Sequence, residues 1–295
     1  MLDYTQLETL AAVLRHGSFD LAAAQLNITQ SAVSQRIRQL EEHVGAPLIQ
    51  RGSPCTGTDT GNRLARHLQE VALLEARVTG KAAGAAARMR IAVNADSLAT
   101  WVLAALARVP DHLYDVVVDD QDHSAEWLKR GEVSAAITSV ANPPRGCESI
   151  PLGAMRYVAS ASPKYVQKYF KNGVDKSSIE AAPSLVFNRK DKLQDTWIKQ
   201  NLRVIHSTKS HQIPSTQGFV EAARLGLGWG MNPHGLVDHF LVSGELVRLR
   251  EGSDLHVSLF WQHSRLFSDM LSPLTDAIRA VAKENLENVD KLTNH

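Results

Sequence analysis

The chain has 295 residues, room for two or three domains, and its 44% hydrophobic and 21% charged residues are those of an ordinary globular protein. A net charge of +1, with no apolar run near the roughly 18 residues a membrane helix needs, argues against an indiscriminate nucleic-acid binder and against a membrane-spanning protein. Cys55 and Cys147 lie far apart without metal spacing, which speaks against a disulfide or a zinc site.

Leu7, Leu10, Ala11 and Leu14 share one face of a helix over 3–16, which His16-Gly17 should stop. Ser18 is a natural N-cap for "FDLAAAQL", whose alanines let a second helix pack closely. Asn27-Ile28-Thr29 then makes a short turn, and Thr29 can cap a third helix that runs to Gly45. In this third helix Val33, Ile37, Leu40 and Val44 form a narrow apolar stripe, while Ser31, Gln35 and Arg38 point the other way. A solvated helix face is usually Glu- and Lys-rich; Ser, Gln and Arg are side chains suited to base edges and phosphates. Helix, turn and helix in this order form a helix-turn-helix whose second helix would enter the major groove. "APLIQRGSPCTGTDTG" follows as a hairpin wing carrying Arg51.

Gln35 is long enough to pair bidentately with adenine, and Arg38 with guanine. Ser31 and Ser34 can reach phosphates or bases, while Thr29, Gln30 and Arg51 would position the DNA backbone. Arg36 borders the buried stripe, where a phosphate contact and an intrahelical pair are equally open. Residues 1–58 carry only Arg15, Arg36, Arg38 and Arg51 against five acids, so placement must matter more than total charge.

Thr60-Gly61 opens a further helix over roughly 61–80. Leu64, Leu68, Val71, Leu74 and Val78 recur along it at helical steps, a seam suited to pairing with a second copy. "GKAAGAAA" (80–87) reads as a flexible hinge. From Arg88 the texture alternates: "RMRIAVN" strand, "SLATWVLAALARV" helix, "YDVVVDD" strand, "SAEWLKRG" helix, "VSAAITS" strand. After "MRYVASASP" it restarts through "APSLVFN", "DTWIKQNL", "RVIHST", "TQGFVEAARLG" and "GWGMNP", ending with a strand over 256–263 and a closing helix. Such alternation predicts a mainly parallel sheet in two sequential α/β lobes around a cleft. Trp101 and Trp229 read as core.

The stretch "FDLAAAQLNITQSAVSQRIRQLEEHVGAPLIQR" resembles the DNA-binding domain of the LysR-type transcriptional regulators. "IAVNADSLATW", "RGEV", "NPPRGCE" and "EAARLGLGWG" are similar to the arginine- and lysine-responsive branch, the ArgP/LysG type. One departure is Ser31, where many members of the family have proline; the serine adds a hydroxyl at the start of the recognition helix. The resemblance spans essentially the whole chain. It implies an α+β multi-domain protein: a winged helix-turn-helix over 1–58, a linker and dimerisation helix with hinge over 59–88, and a two-lobed effector-binding domain, like periplasmic binding proteins, over 89–295. Lobe I would take about 89–161 and 266–295, and lobe II about 162–265. The expected partners are promoter DNA, a basic amino-acid effector (lysine or arginine), further copies in a dimer or tetramer, and RNA polymerase. No membrane and no cofactor are expected. Asp3 and Glu8 stand where an export signal would be basic and apolar, so the expected location is the cytoplasm. Genes of amino-acid export or metabolism are the expected targets; a ligand-independent role in chromosome initiation and a stand-alone binding protein are alternatives.

For the effector, Asn94 to Thr100 form a strand-to-helix turn whose amides, with the Ser97 and Thr100 hydroxyls, can hold a carboxylate. Ser215, Thr216 and Gln217 sit at the matching junction of the second lobe. Asp96, Asp119, Asp120 and Asp122 can face the ligand's cations, which are costly to desolvate alone. No P-loop, GxGxxG, HExxH, GxSxG or CxxC occurs, so catalysis is not expected.

Overall fold

Caps and left-handed terminators divide the start of the chain in the computed structural model, which describes residues 1–79, 88–118, 127–128, 132–203 and 209–288. Helix α1 (Tyr4–His16) begins where the Asp3 carboxylate accepts from the Thr5 amide and ends at Gly17, whose φ of 63° favours a residue without Cβ. Ser18 caps α2 (Phe19–Leu26), which ends on Asn27 in the left-handed region. Thr29 caps α3 (Gln30–Val44), its hydroxyl accepting from the Ala32 amide at 3.2 Å, and Gly45 closes it. The apolar stripe is buried as its spacing required: Val33, Ile37 and Leu40 pack with Leu7, Leu10, Val13, Ala22 and Leu48 in one core. Strands β1 (Ile49–Gln50) and β2 (Thr56–Gly57) pair antiparallel as the wing.

Helix α4 (Asp59–Thr79) starts slightly before its expected position, because the Thr58 hydroxyl accepts from the Gly61 amide at 3.1 Å. Of the residues expected to form a seam between copies, Leu64 and Leu68 are half-buried against the core of their own unit. Val71 is half-buried, and the side chains of Leu74 and Val78 lie outside the described residues. Met1–Arg88 form one compact unit, which therefore includes α4.

The second unit is built on Met89–Lys129 and Val133–His295. Strand β3 (Arg88–Val93) leads into α5 (Ala95–Ser97), a π-helical turn (Leu98–Val102) and α6 (Leu103–Ala107), where a plain α-helix was expected. Next come β4 (Leu113–Val118), β5 (Ala135–Thr138) and the long β6 (Cys147–Ala161). They are followed by α7 (Pro163–Tyr169), α8 (Lys176–Ala181), β7 (Ser184–Val186), α9 (Leu193–Leu202), β8 (Ser210–Gln212) and α10 (Thr216–Arg224). Strand β9 (Gly230–Pro233), α11 (His234–Ser243), β10 (Val247–Arg248), β11 (Leu255–Ser264) and α12 (Ser268–Asn285) complete the unit. The hinge "GKAAGAAA", the end of "YDVVVDD", most of "SAEWLKRG" and most of "RVIHST" lie outside the described residues.

The expected mainly parallel sheet is corrected to a mixed one. Its order is β10-β6-β11-β5-β3-β4, with β9 also on β6. Strands β3 and β5 are parallel, but β11 runs antiparallel to both β5 and β6. Helical connections produced the alternating texture, yet β11 returns from the far end of the unit and inserts beside β5. Strands β6 and β11 make a long ribbon. At one end β11 pairs β5 through Phe260–His263; at the other, β6 pairs β9 and β10. The ladder is irregular midway, where Leu259 faces Gly153 and Phe260 faces Pro151, so Leu152 is an extra residue on β6. Gly153 has φ 130°, and a Cβ there would lie 2.8 Å from the Glu287 carbonyl oxygen. The core along the ribbon holds Trp101, Tyr157, Trp197, Trp229 and Trp261, all essentially buried.

Candidate DNA-reading face and effector cavity

On α3 the side opposite the buried stripe is open. Thr29, Gln30, Ser31, Gln35 and Arg38 are exposed, as is Arg51 beside the wing, and Ser34 is half-buried. Positions 31, 35 and 38 recur at helical steps along one line, so their side chains can enter one groove together. The Ser31 hydroxyl lies 2.9 Å from the Thr29 hydroxyl. Serine in place of proline thus adds a second hydroxyl to the cap. Arg36 contacts α1 rather than a residue of its own helix. Its Nη1 donates to Thr9 Oγ1 of α1 at 3.4 Å, and Thr9 in turn donates to the Thr5 carbonyl, so Arg36 ties two helices together.

In the second unit a cavity of about 410 Å³ opens where β3 meets α5. Ligand clefts typically measure ~300–1,000 Å³, so it is large enough for an amino acid. Its apolar wall is Phe187, Leu193, Phe219, Met231, Leu255 and Val257; its charged groups are Asp96, Asp191, Asp254, Lys190 and Lys192, with His256 beside them. The three carboxylates differ in what already holds them. Asp254 accepts from Arg156 Nε at 2.6 Å and Arg248 Nη1 at 2.5 Å, so its charge is spent inside the protein. Asp191 accepts from the Phe187 and Leu193 amides at 2.9 and 3.0 Å, fixing the loop before α9. Asp96 accepts from two hydroxyls, Tyr157 at 2.8 Å and Thr216 at 3.1 Å.

Burial, and then the negative charge of Asp96, pushes the Tyr157 phenol well above its usual range, so it remains a donor at any physiological pH. Both hydroxyls orient the Asp96 carboxylate toward the cavity it lines. Beside it, Asn94 is almost fully buried, and its Oδ1 has no hydrogen-bond partner among the described residues. A buried acceptor left open in this way marks a place where a donor fits.

Of the residues expected to hold an effector, Asn94, Asp96 and Thr216 line this cavity. Three others do not line it. Ser97 is fully buried behind it, Thr100 donates to the Asp96 carbonyl at 2.6 Å across the π turn, and Ser215 caps α10 through the Gly218 amide. Gln217 is exposed and does not line the cavity. Asp119, Asp120 and Asp122 lie outside the described residues. Sequence reasoning missed Tyr157, Asp191, Asp254, Lys190 and Lys192. The run "NRKDK" (188–192), polar between a strand and a helix, was the available signal for three of them.

Residues 4–62 match the family described as bacterial regulatory helix-turn-helix protein, lysR family, and residues 82–283 match the LysR substrate binding domain. The chain belongs to the LysR-type transcriptional regulators, and within them it is of the LysG/ArgP type. It is 44% identical over 287 residues to the HTH-type transcriptional regulator LysG of Mycobacterium tuberculosis, covering 95% of this chain and 94% of that one. The crystal structure of ArgP from Mycobacterium tuberculosis superposes with a TM-score of 0.84 at 43% identity, over 98% of this chain and 100% of that one. Full-length LysG from Corynebacterium glutamicum, with arginine bound as effector, superposes with a TM-score of 0.72 at 36% identity, over 97% and 100%. These relatives are regulators and not enzymes. No helix among the described residues is long and apolar enough to cross a membrane.

Proposed function

We propose that this regulator binds promoter DNA sequence-specifically through α3 and the wing, and that a basic amino acid, arginine or lysine, in the 410 Å³ cavity governs that binding. The observation that carries the effector reading is Asp96, oriented by the Tyr157 and Thr216 hydroxyls beside the open Asn94 acceptor. A guanidinium or ammonium brings N–H donors to the open Asn94 oxygen and a positive charge to the side of the Asp96 carboxylate. The aliphatic stem fits the wall of Phe187, Phe219 and Met231, and Lys190 can meet the ligand carboxylate, with Lys192 paired to Asp195 at 3.7 Å beside it. Arginine in the Corynebacterium glutamicum relative supports the same ligand class. The protein acts as a homo-oligomer, dimer or tetramer, on genes of amino-acid export or metabolism. The ligand works through differential affinity for two arrangements of the effector domain.

Calorimetry tests the cavity. Arginine and lysine bind, whereas citrulline, arginine's neutral isostere, binds far more weakly. Asp96→Asn lowers arginine affinity by about 2–3 kcal/mol, roughly 30–150-fold, because a desolvated cation loses its counter-charge. Unchanged affinity in that variant overturns the assignment. Footprinting on DNA flanking the protein's own gene, with and without arginine, tests the regulatory half.

A further inference from the structure

Where α12 ends, the chain does not leave the unit. Leu286 turns extended, its amide donating to the Ala282 carbonyl at 2.7 Å, and Glu287 then docks on β6. The Glu287 and Ala154 backbones exchange two hydrogen bonds, Ala154 N to Glu287 O at 2.8 Å and Glu287 N to Ala154 O at 2.9 Å. That contact falls on the residue after Gly153, at the irregular step of the ribbon, and Gly153 has no Cβ because Leu286 and Glu287 occupy the space.

The Glu287 side chain then bridges both strands of the ribbon. Oε1 lies 3.4 Å from Arg156 Nη1 on β6, and Oε2 lies 2.9 Å from His256 Nε2 on β11. Each of these partners reaches the effector cavity. His256 lines it directly; Arg156 holds Asp254, which also lines it and which Arg248 grips from the other side. On its opposite face the same group borders a smaller cavity of about 210 Å³, with Arg156, His234, Leu286 and Glu287 in its wall. Glu287 thus joins the end of the closing helix to the irregular step through its backbone, and through its carboxylate it reaches His256 of the cavity wall directly and Asp254 by way of Arg156.

We infer that Glu287 is a positioning residue for effector binding. Through His256 and Arg156 it sets the bend of the β6–β11 ribbon, and with it the spacing of the cavity walls. This rests on the 410 Å³ cavity being the effector site, as proposed above. Glu287 does not line that cavity, so its influence on a ligand must pass through His256 and the Arg156–Asp254 pair. Ligand seated against His256 and Asp254 would in turn load the strap, giving the C-terminal segment a part in the change of state.

The test is a double-mutant cycle in the full-length protein, with arginine as the probe. Glu287→Gln keeps length and one acceptor oxygen but removes the charge and the second acceptor. It weakens arginine binding at least about fivefold, within the range such networks carry. His256→Gln does the same, and the double variant is no weaker than the weaker single one. Hydrogen exchange of the ligand-free protein supplies an independent readout: in Glu287→Gln the Ala154 amide and the amides of 255–259 exchange faster, while the head is unchanged. Wild-type arginine affinity in Glu287→Gln, or effects that multiply in the double variant, overturns the inference. Should wild-type protein bind no arginine, the cavity reading fails on its own. Unchanged exchange at those amides then overturns the role of Glu287 separately.

Discussion

The two units of this chain hold their working residues in opposite ways. In the head, the proposed reading face is one helix, and the signals that shape it are adjacent to it: Thr29 opens α3, Gly45 ends it, and a stripe of Val33, Ile37 and Leu40 turns Gln35 and Arg38 outward. In the second unit the cavity joins residues distant in the chain. Asp96 and Thr216 are 120 positions apart, Asp96 and Tyr157 are 61 apart, and Asp254 is held by Arg156 across 98. A site written on one helix is robust to rearrangement elsewhere, whereas a site gathered from several elements changes when any of them shifts. That difference suits the proposed division of labour, in which the head reads DNA and the other unit senses a ligand.

The sharpest way to break this comparison is Leu40→Ala. Leu40 is fully buried in the head core, and its truncation should destabilise the head by about 2–5 kcal/mol. In a thermal melt the head should unfold early while arginine still binds to the second unit; loss of arginine binding at the same temperature would show that the units are not independent. Next in size is Arg38→Ala. This side chain is exposed, so stability should hold while specific DNA affinity falls by about 1–3 kcal/mol and specificity relaxes. Gel-shift affinity unchanged at fixed salt would remove Arg38 from the reading face.

The smallest effect concerns His234, at the start of α11. Burial, and then the nearby Arg156 charge, lowers its pKa below the usual histidine value. The folded state therefore binds fewer protons than the unfolded one, and the contribution of a neutral His234 is present above about pH 6.5 and lost as pH falls below it. His234→Gln should make the fall in melting temperature between pH 7 and pH 5 shallower; an unaltered slope would count against it.

The head was legible in the sequence almost throughout, since caps, turns and a period of about 3.6 residues are local. Asp3, Ser18 and Thr29 all cap as their residue types demand. Arg36 was not legible, because its partner Thr9 is on another helix 27 positions away. Leu64 and Leu68 show the same limit: heptad-like spacing says that a helix has an apolar face, not whose surface covers it. In the second unit the strands and helices could be found in order, but not their pairing. Nothing local says that β11 should return antiparallel beside β5. Asp96 was legible because the strand-to-helix turn announces itself, while Tyr157 and Asp254 enter the site only through strand register.

The extra residue at Leu152 has an evolutionary consequence. Side chains alternate faces along a strand, so one additional position inverts which residues look up and which look down on the two sides of the irregular step. Deleting Leu152 would make the ladder regular and turn the interior of one half of the ribbon outward. Chain length in this stretch should therefore be held more strictly than residue identity: many substitutions can be absorbed here, and almost no insertion or deletion.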